Sequence, residues 1–208
     1  SLDLPWLHVA RESLAWLDRD ASRAVARSLR EADAAVATSP VVAECARRRF
    51  GVPQARLQLL PSGVSVSAVD GGLARNEARE ALGIAPEATV FLSNGDFHPS
   101  TGHRLAIEAT RKLTSQEAHP ELICAGYPTD ADCLESCQKA ASGHGLPVRF
   151  VTFDGEDSLR RIHAAADVFV QPLGSDGVRS ESLEALASGL PLVLPDTVDA
   201  RELLAEKP

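Results

Sequence analysis

The stretch Ala164-Ala-Ala-Asp167-Val-Phe-Val-Gln-Pro172-Leu-Gly-Ser-Asp176-Gly-Val-Arg179-Ser-Glu181-Ser-Leu-Glu184-Ala-Leu-Ala-Ser-Gly189-Leu-Pro191-Leu-Val-Leu194 decides the fold. Val168–Gln171 is a short apolar run and reads as a buried strand. A loop of small and acidic residues follows it. Residues 180–188 carry apolar positions at helical spacing, and Gly189 stands where a helix commonly ends. Pro191–Leu194 reads as the next strand.

Working back from this unit, the same alternation recurs. Strands are expected at Thr89–Ser93, Glu121–Ala125 and Val148–Val151, with helices over about 100–113, 129–142 and 157–166. Short strands separated by helices imply right-handed crossovers, hence an α/β fold with a doubly wound parallel sheet. Such sheets bind ligands beyond the carboxyl ends of the strands, where the strand order reverses. In the usual order the first and fourth strands are neighbours there. Their loops would bring Gly95, Asp96, Phe97 and His98 beside Gly174 to Gly177.

This string resembles the retaining GT-B glycosyltransferases, a family that includes glycogen and sucrose synthases. Its hallmark is two acids with seven residues between them, the second opening a Leu-Glu-Ala-type helix before a Gly-x-Pro strand. Here the pair is Asp176 and Glu184. The likeness continues upstream. Arg30-Glu-Ala-Asp33-Ala-Ala-Val-Ala-Thr-Ser39 resembles the last strand region of the family's first domain. Leu60-Pro-Ser-Gly63-Val64 resembles its interdomain crossing, and Phe91-Leu-Ser-Asn-Gly95 to Gly102 its first donor-binding loop.

The resemblance implies a Rossmann-like half of a GT-B fold preceded by part of a second α/β piece. Residues 1–62 would be the remnant of an acceptor-side domain, 63–74 a linker and 75–208 a truncated nucleotide-sugar-binding domain. It also implies roles. Asp176 would stand by the donor sugar as the catalytic carboxylate, stabilising charge at the anomeric carbon. Glu184 would accept hydrogen bonds from ribose hydroxyls. Backbone N–H groups of Gly177, Val178 and Arg179 would hold sugar or phosphate oxygens. Gly95, Asp96, His98 and Thr101 would line the first donor loop, and Thr152 and Phe153 the nucleotide base. The expected partner is a nucleotide-diphosphate sugar, with no metal and no cofactor; the acceptor stays unspecified.

The string also departs from the family. In the pattern Gly-Arg-x-x-Pro-x-Lys-Gly, Asp96 replaces the Arg and Thr101 the Lys. The diphosphate then lacks its usual cations, leaving His98, His103, Arg104 and Arg179 as substitutes; the family usually has Gly at the last position. From Asp154 onward there are eleven acidic residues against five basic ones. Two rival readings follow: a non-catalytic scaffold of the same fold, and an unrelated doubly wound protein binding phosphate near His98 and His103.

The remaining sequence sets limits. A net charge of −8 disfavours nucleic acid, which needs a concentrated basic face. Arg47 to Arg49 suit the last turn of a helix instead, beginning at Ser39-Pro40 and stopping at Gly51. No run approaches the length of a membrane span. Four cysteines without a leader suggest reduced thiols and a cytoplasmic setting. Cys133 and Cys137 share a helical spacing with His144 nearby, but their pattern is not that of a zinc site. Residues 6–32 carry helical spacing, His163 reads as helix surface, and Ala34–Thr38 and Leu57–Leu60 read as short strands. The resemblance leaves two expectations, a fragment of a longer enzyme or a reduced homologue needing a separate domain or subunit, and the absent Met favours the fragment.

Overall fold

The structure is a computed structural model that describes residues 7–10, 19–69, 72–113, 119–142, 145–173 and 179–205. The elements run β1 (Leu7–Ala10), α1 (Arg19–Glu31), β2 (Ala34–Ala37), α2 (Pro40–Phe50), β3 (Leu57–Leu59), α3 (Val66–Val69), α4 (Arg75–Leu82), β4 (Thr89–Asn94), α5 (His103–Arg111), β5 (Pro120–Ala125), α6 (Ala131–Ala141), β6 (Val148–Val151), α7 (Glu156–Ala165), β7 (Val168–Val170), α8 (Ser180–Ala187), β8 (Leu192–Val193) and α9 (Val198–Leu204). Short 3₁₀ turns occupy Gln54–Arg56 and Pro99–Thr101. The chain divides into two compact units. One holds residues up to Gly63 and those from Asp196; the other holds Val64–Gly174 and Arg179–Pro195.

The first unit is built on a parallel sheet of order β1-β2-β3. The helical expectation over residues 6–32 holds only for α1, because Leu7–Ala10 pairs in register with Ala34–Ala37 as a strand. Spacing alone could not register that pairing, since it depends on a partner more than twenty residues away. Helix α2 begins and ends on local chemistry. Ser39 accepts from the N–H of Val42 at 3.2 Å, Pro40 takes the first helical position, and Gly51 closes the helix at φ 73°. Helix α9 packs on α2.

The second unit carries a five-stranded parallel sheet of order β6-β5-β4-β7-β8. In strand sequence that is third, second, first, fourth, fifth, so the reversal lies between β4 and β7 as the sequence implied. Every residue of β5 is buried, and its last four, Leu122–Ala125, form an unbroken apolar run. One sheet face packs Val90, Leu92, Ile123 and Phe169 against Ala78 of α4, Ile162 of α7 and Ala185 of α8. The other packs Leu122 and Cys124 against Ala106, Ile107 and Cys137 of α5 and α6. Helices therefore cover both faces.

A buried ion pair ties α4 to the start of two strands. Arg79, 1% exposed, donates to Asp167 at 2.7 Å and to the carbonyls of Ala165, Pro86 and Ala88. Asp167 also accepts from the N–H of Val90 at 2.8 Å. Within residues 63–74, α3 packs on α7 and α8. With α3 and α4 both resting on α7, His163 is buried rather than on the surface, and its Nε2 has no hydrogen-bond partner. Among the described residues no helix is long and apolar enough to cross a membrane, and no group of three acids, histidines or cysteines could hold a metal ion.

Candidate functional site

Because β4 and β7 are neighbours, the loop after β4 faces the start of α8 at the carboxyl end of the sheet. The β4 loop is held from below by main chain. Gly95 N–H donates to Ala125 at 2.9 Å and Phe97 N–H donates to Tyr127 at 2.8 Å. The two turns approach so closely that a Cβ on Gly126 would lie 1.9 Å from the Gly95 carbonyl oxygen. Gly126 thus shapes the β4 loop through its missing side chain.

The loop's polar side chains serve the loop itself. Thr101, 3% exposed, donates its hydroxyl to the Asp96 carbonyl at 2.6 Å, and its N–H goes to the His98 carbonyl at 3.0 Å. The buried His103 ring donates from Nε2 to the Gly95 carbonyl at 2.8 Å and accepts from Ser93 at Nδ1, 2.9 Å. Burial pushes its pKa below the ordinary histidine value, so both bonds are made by the neutral ring. Asp96 and His98 are exposed, and His98 Nδ1 accepts from the Ser100 N–H at 3.3 Å.

Across the crevice, α8 begins after Arg179, whose carbonyl accepts from Ser182 N–H at 3.1 Å. Ser182 is buried and donates its hydroxyl to Gln171 at the end of β7, locking the helix start to the sheet. This anchor turns the side chains of Arg179 and Glu181 toward the β4 loop. A Cβ on Gly95 would lie 3.4 Å from Arg179 Nη2 and 3.3 Å from Glu181 Oε1. Arg179 donates to Glu181 from Nε at 3.4 Å and from Nη2 at 3.3 Å. One turn on, Glu184 is half-buried, and burial together with the nearby Glu181 charge pushes its pKa up to about 7.

Gly95, Thr101 and Arg179 therefore come together, with Asp96 and His98 on the rim of the same loop. Thr152 is exposed and Phe153 half-buried at the end of β6, two strands away from β4. Phe153 meets Tyr127 edge-on at 5.5 Å, an aromatic pair beyond the ends of β5 and β6. Asp176, Gly177 and Val178 lie outside the described residues. Two groups escaped the sequence reading. Glu181 is one of several acids in the string and nothing in its spacing marks it. Asn94 closes β4 with both side-chain polar atoms buried and unpartnered. A polar residue ending a buried apolar strand was the available signal.

Residues 88–207 match the family model described as glycosyl transferases group 1. The chain belongs to that family. As a group 1 glycosyltransferase it is 26% identical, over 91% of its length, to a D-inositol 3-phosphate glycosyltransferase of Actinosynnema mirum, spanning 50% of that protein. It is also 26% identical over 69% of its length to the putative glycosyltransferase EpsF of Bacillus subtilis, spanning 37% of it. The chain spans half or less of the length of these curated relatives. Its GT-B fold is shared with HepE of Anabaena, crystallised with UDP and glucose. That match has a TM-score of 0.81 at 16% identity and covers 97% of this chain and 55% of HepE. Sucrose-phosphate synthase of Thermosynechococcus elongatus matches with a TM-score of 0.69 at 22% identity, covering 92% and 50%.

Proposed function

We propose that this chain supplies the donor-binding part of an enzyme that moves a sugar from a nucleoside diphosphate to an acceptor hydroxyl, with retention at the anomeric carbon. The observation that carries the reading is the start of α8 facing the Gly95 loop at the strand-order reversal, with Glu184 in its second turn. The UDP and glucose of the structural neighbour HepE support a nucleotide sugar as the ligand class.

In this reading Glu184 accepts hydrogen bonds from the ribose hydroxyls, and Phe153 with Tyr127 flanks the base. Asp176 stands by the sugar as electrostatic support for positive charge on the anomeric carbon. The bond from that carbon to the phosphate oxygen breaks, and a bond to the acceptor oxygen forms on the same face. The acceptor proton passes to the leaving phosphate. Neither a metal nor a cofactor enters this scheme, and its setting is the cytoplasm.

Calorimetric titration of the folded protein with UDP, GDP and ADP tests the reading. One of the three is expected to bind, with affinity reduced about tenfold or more in Glu184→Ala through loss of charge-assisted hydrogen bonds. Absence of binding up to millimolar nucleotide would exclude donor binding by this chain.

A further inference from the structure

A diphosphate in this crevice needs positive charge, yet the two loop positions that resemble the family's cation sites hold Asp96 and Thr101. Of the four nearby substitutes, geometry removes His103 and leaves two others partly engaged. His103 is buried and bonded at both ring nitrogens. Arg104 is exposed on α5 and paired with Glu108 one turn on at 3.0 Å. His98 is exposed, with Nδ1 taken by its own loop.

Arg179 is different. Its guanidinium is seated against the Gly95 backbone, at the mouth of the loop where the missing cation would begin. The contacts from Glu181 are 3.3 and 3.4 Å, longer than the roughly 2.7–2.9 Å of a tight charge-assisted bond. The fork is thus held in place but loosely occupied. The carboxylate on it stands where two phosphate oxygens could stand, since guanidinium accepts either anion in the same bidentate geometry. Relative to the family pattern, a cation is lost at 96 and gained at 179, on the opposite wall of one crevice.

We infer that Arg179 is the phosphate-binding cation of this site and that Glu181 is an internal anion which occupies its guanidinium until a nucleoside diphosphate displaces it. The inference rests on the donor-binding reading above. It gives the two partners of one ion pair opposite effects on the ligand, which a merely structural pair would not have. Removing Arg179 weakens phosphate binding, whereas neutralising Glu181 strengthens it.

The test is calorimetric titration of the full chain and of Arg179→Ala and Glu181→Gln with UDP, GDP and ADP and with uridine, guanosine and adenosine. The quantity read is the ratio of diphosphate to nucleoside affinity, with circular dichroism and melting used to verify each fold. Arg179→Ala is expected to lower the ratio about tenfold or more, and Glu181→Gln to raise it about threefold. If Arg179→Ala does not fold, Arg179→Gln is read in its place with the same expectation. A ratio unchanged in either variant, or lowered by Glu181→Gln, overturns the inference while leaving the donor reading intact. If the unmodified chain binds none of the six compounds, the donor reading falls and the inference with it.

Discussion

The loop after β4 and the start of α8 face each other, yet their polar groups are in opposite conditions. On the loop side, Thr101 and His103 are buried and spend their hydrogen bonds on the carbonyls of Asp96 and Gly95. On the helix side, Arg179 and Glu181 meet at long range, and Glu184 keeps a carboxyl pushed up to about 7. The buried Thr101 and His103 are thus internally satisfied and have little left over for a ligand. The helix side retains unspent charge, which is what recognition of a polar ligand requires.

The strongest way to break the comparison is to damage the settled wall. Gly126→Ala would place a Cβ 1.9 Å from the Gly95 carbonyl. Backbone on backbone cannot yield by a rotamer change, so the loss is expected to reach at least about 3 kcal/mol. Urea denaturation would measure it, and a loss under 1 kcal/mol would mean that the β4 loop is not held as described.

Asn94 is the exception on that wall, and it sharpens the contrast. Its amide is buried with neither atom partnered, which costs stability. Asn94→Leu, which keeps the number and branching of side-chain heavy atoms, is expected to stabilise the protein by about 1–2 kcal/mol, raising its melting temperature by several degrees. A destabilised variant would show that the amide is satisfied in solution.

The smallest effect concerns pH, where Glu184 and the two buried histidines pull in opposite directions. Glu184 has a folded pKa of about 7 against an ordinary value of 4.5, so the native state binds more protons between these values. Its stability contribution is therefore lost as pH rises through that window. His103 and His163 are lowered below 6.5, chiefly by burial, so their contribution is present above 6.5 and lost as pH falls below it. Glu184→Gln should raise the melting temperature at pH 8 by about 3 °C, or roughly 1 kcal/mol after solvent screening, with no gain at pH 4.5. Melting curves at the two pH values decide it. An equal gain at both would remove ionisation as the cause.

Much of the second unit was legible because its strands are apolar runs bounded by turn residues, and its helices keep a regular stripe. The five strands and the four helices between them lie within a few residues of their expected positions, and Ser39 and Gly51 cap α2 as local chemistry requires. The candidate site was less legible. Thr101 reads as a ligand contact from its position in the loop, whereas its hydroxyl bond to the Asp96 carbonyl emerges only in the packed structure. His163 looks like helix surface until α3 and α4 rest on α7.

By itself, then, the sequence determined the strand-and-helix alternation, the parallel sheet and the crevice where strand order reverses. Those features follow from periodicity and from short-range capping, which each segment carries alone. Only the tertiary structure decided which polar side chains are spent and which are available. Whether His103 is neutral, Glu184 perturbed or Arg179 seated on Gly95 depends on burial and on groups more than eighty residues apart in the case of the last pair. Desolvation and close approach are properties of the packed site, and no spacing along the chain encodes them.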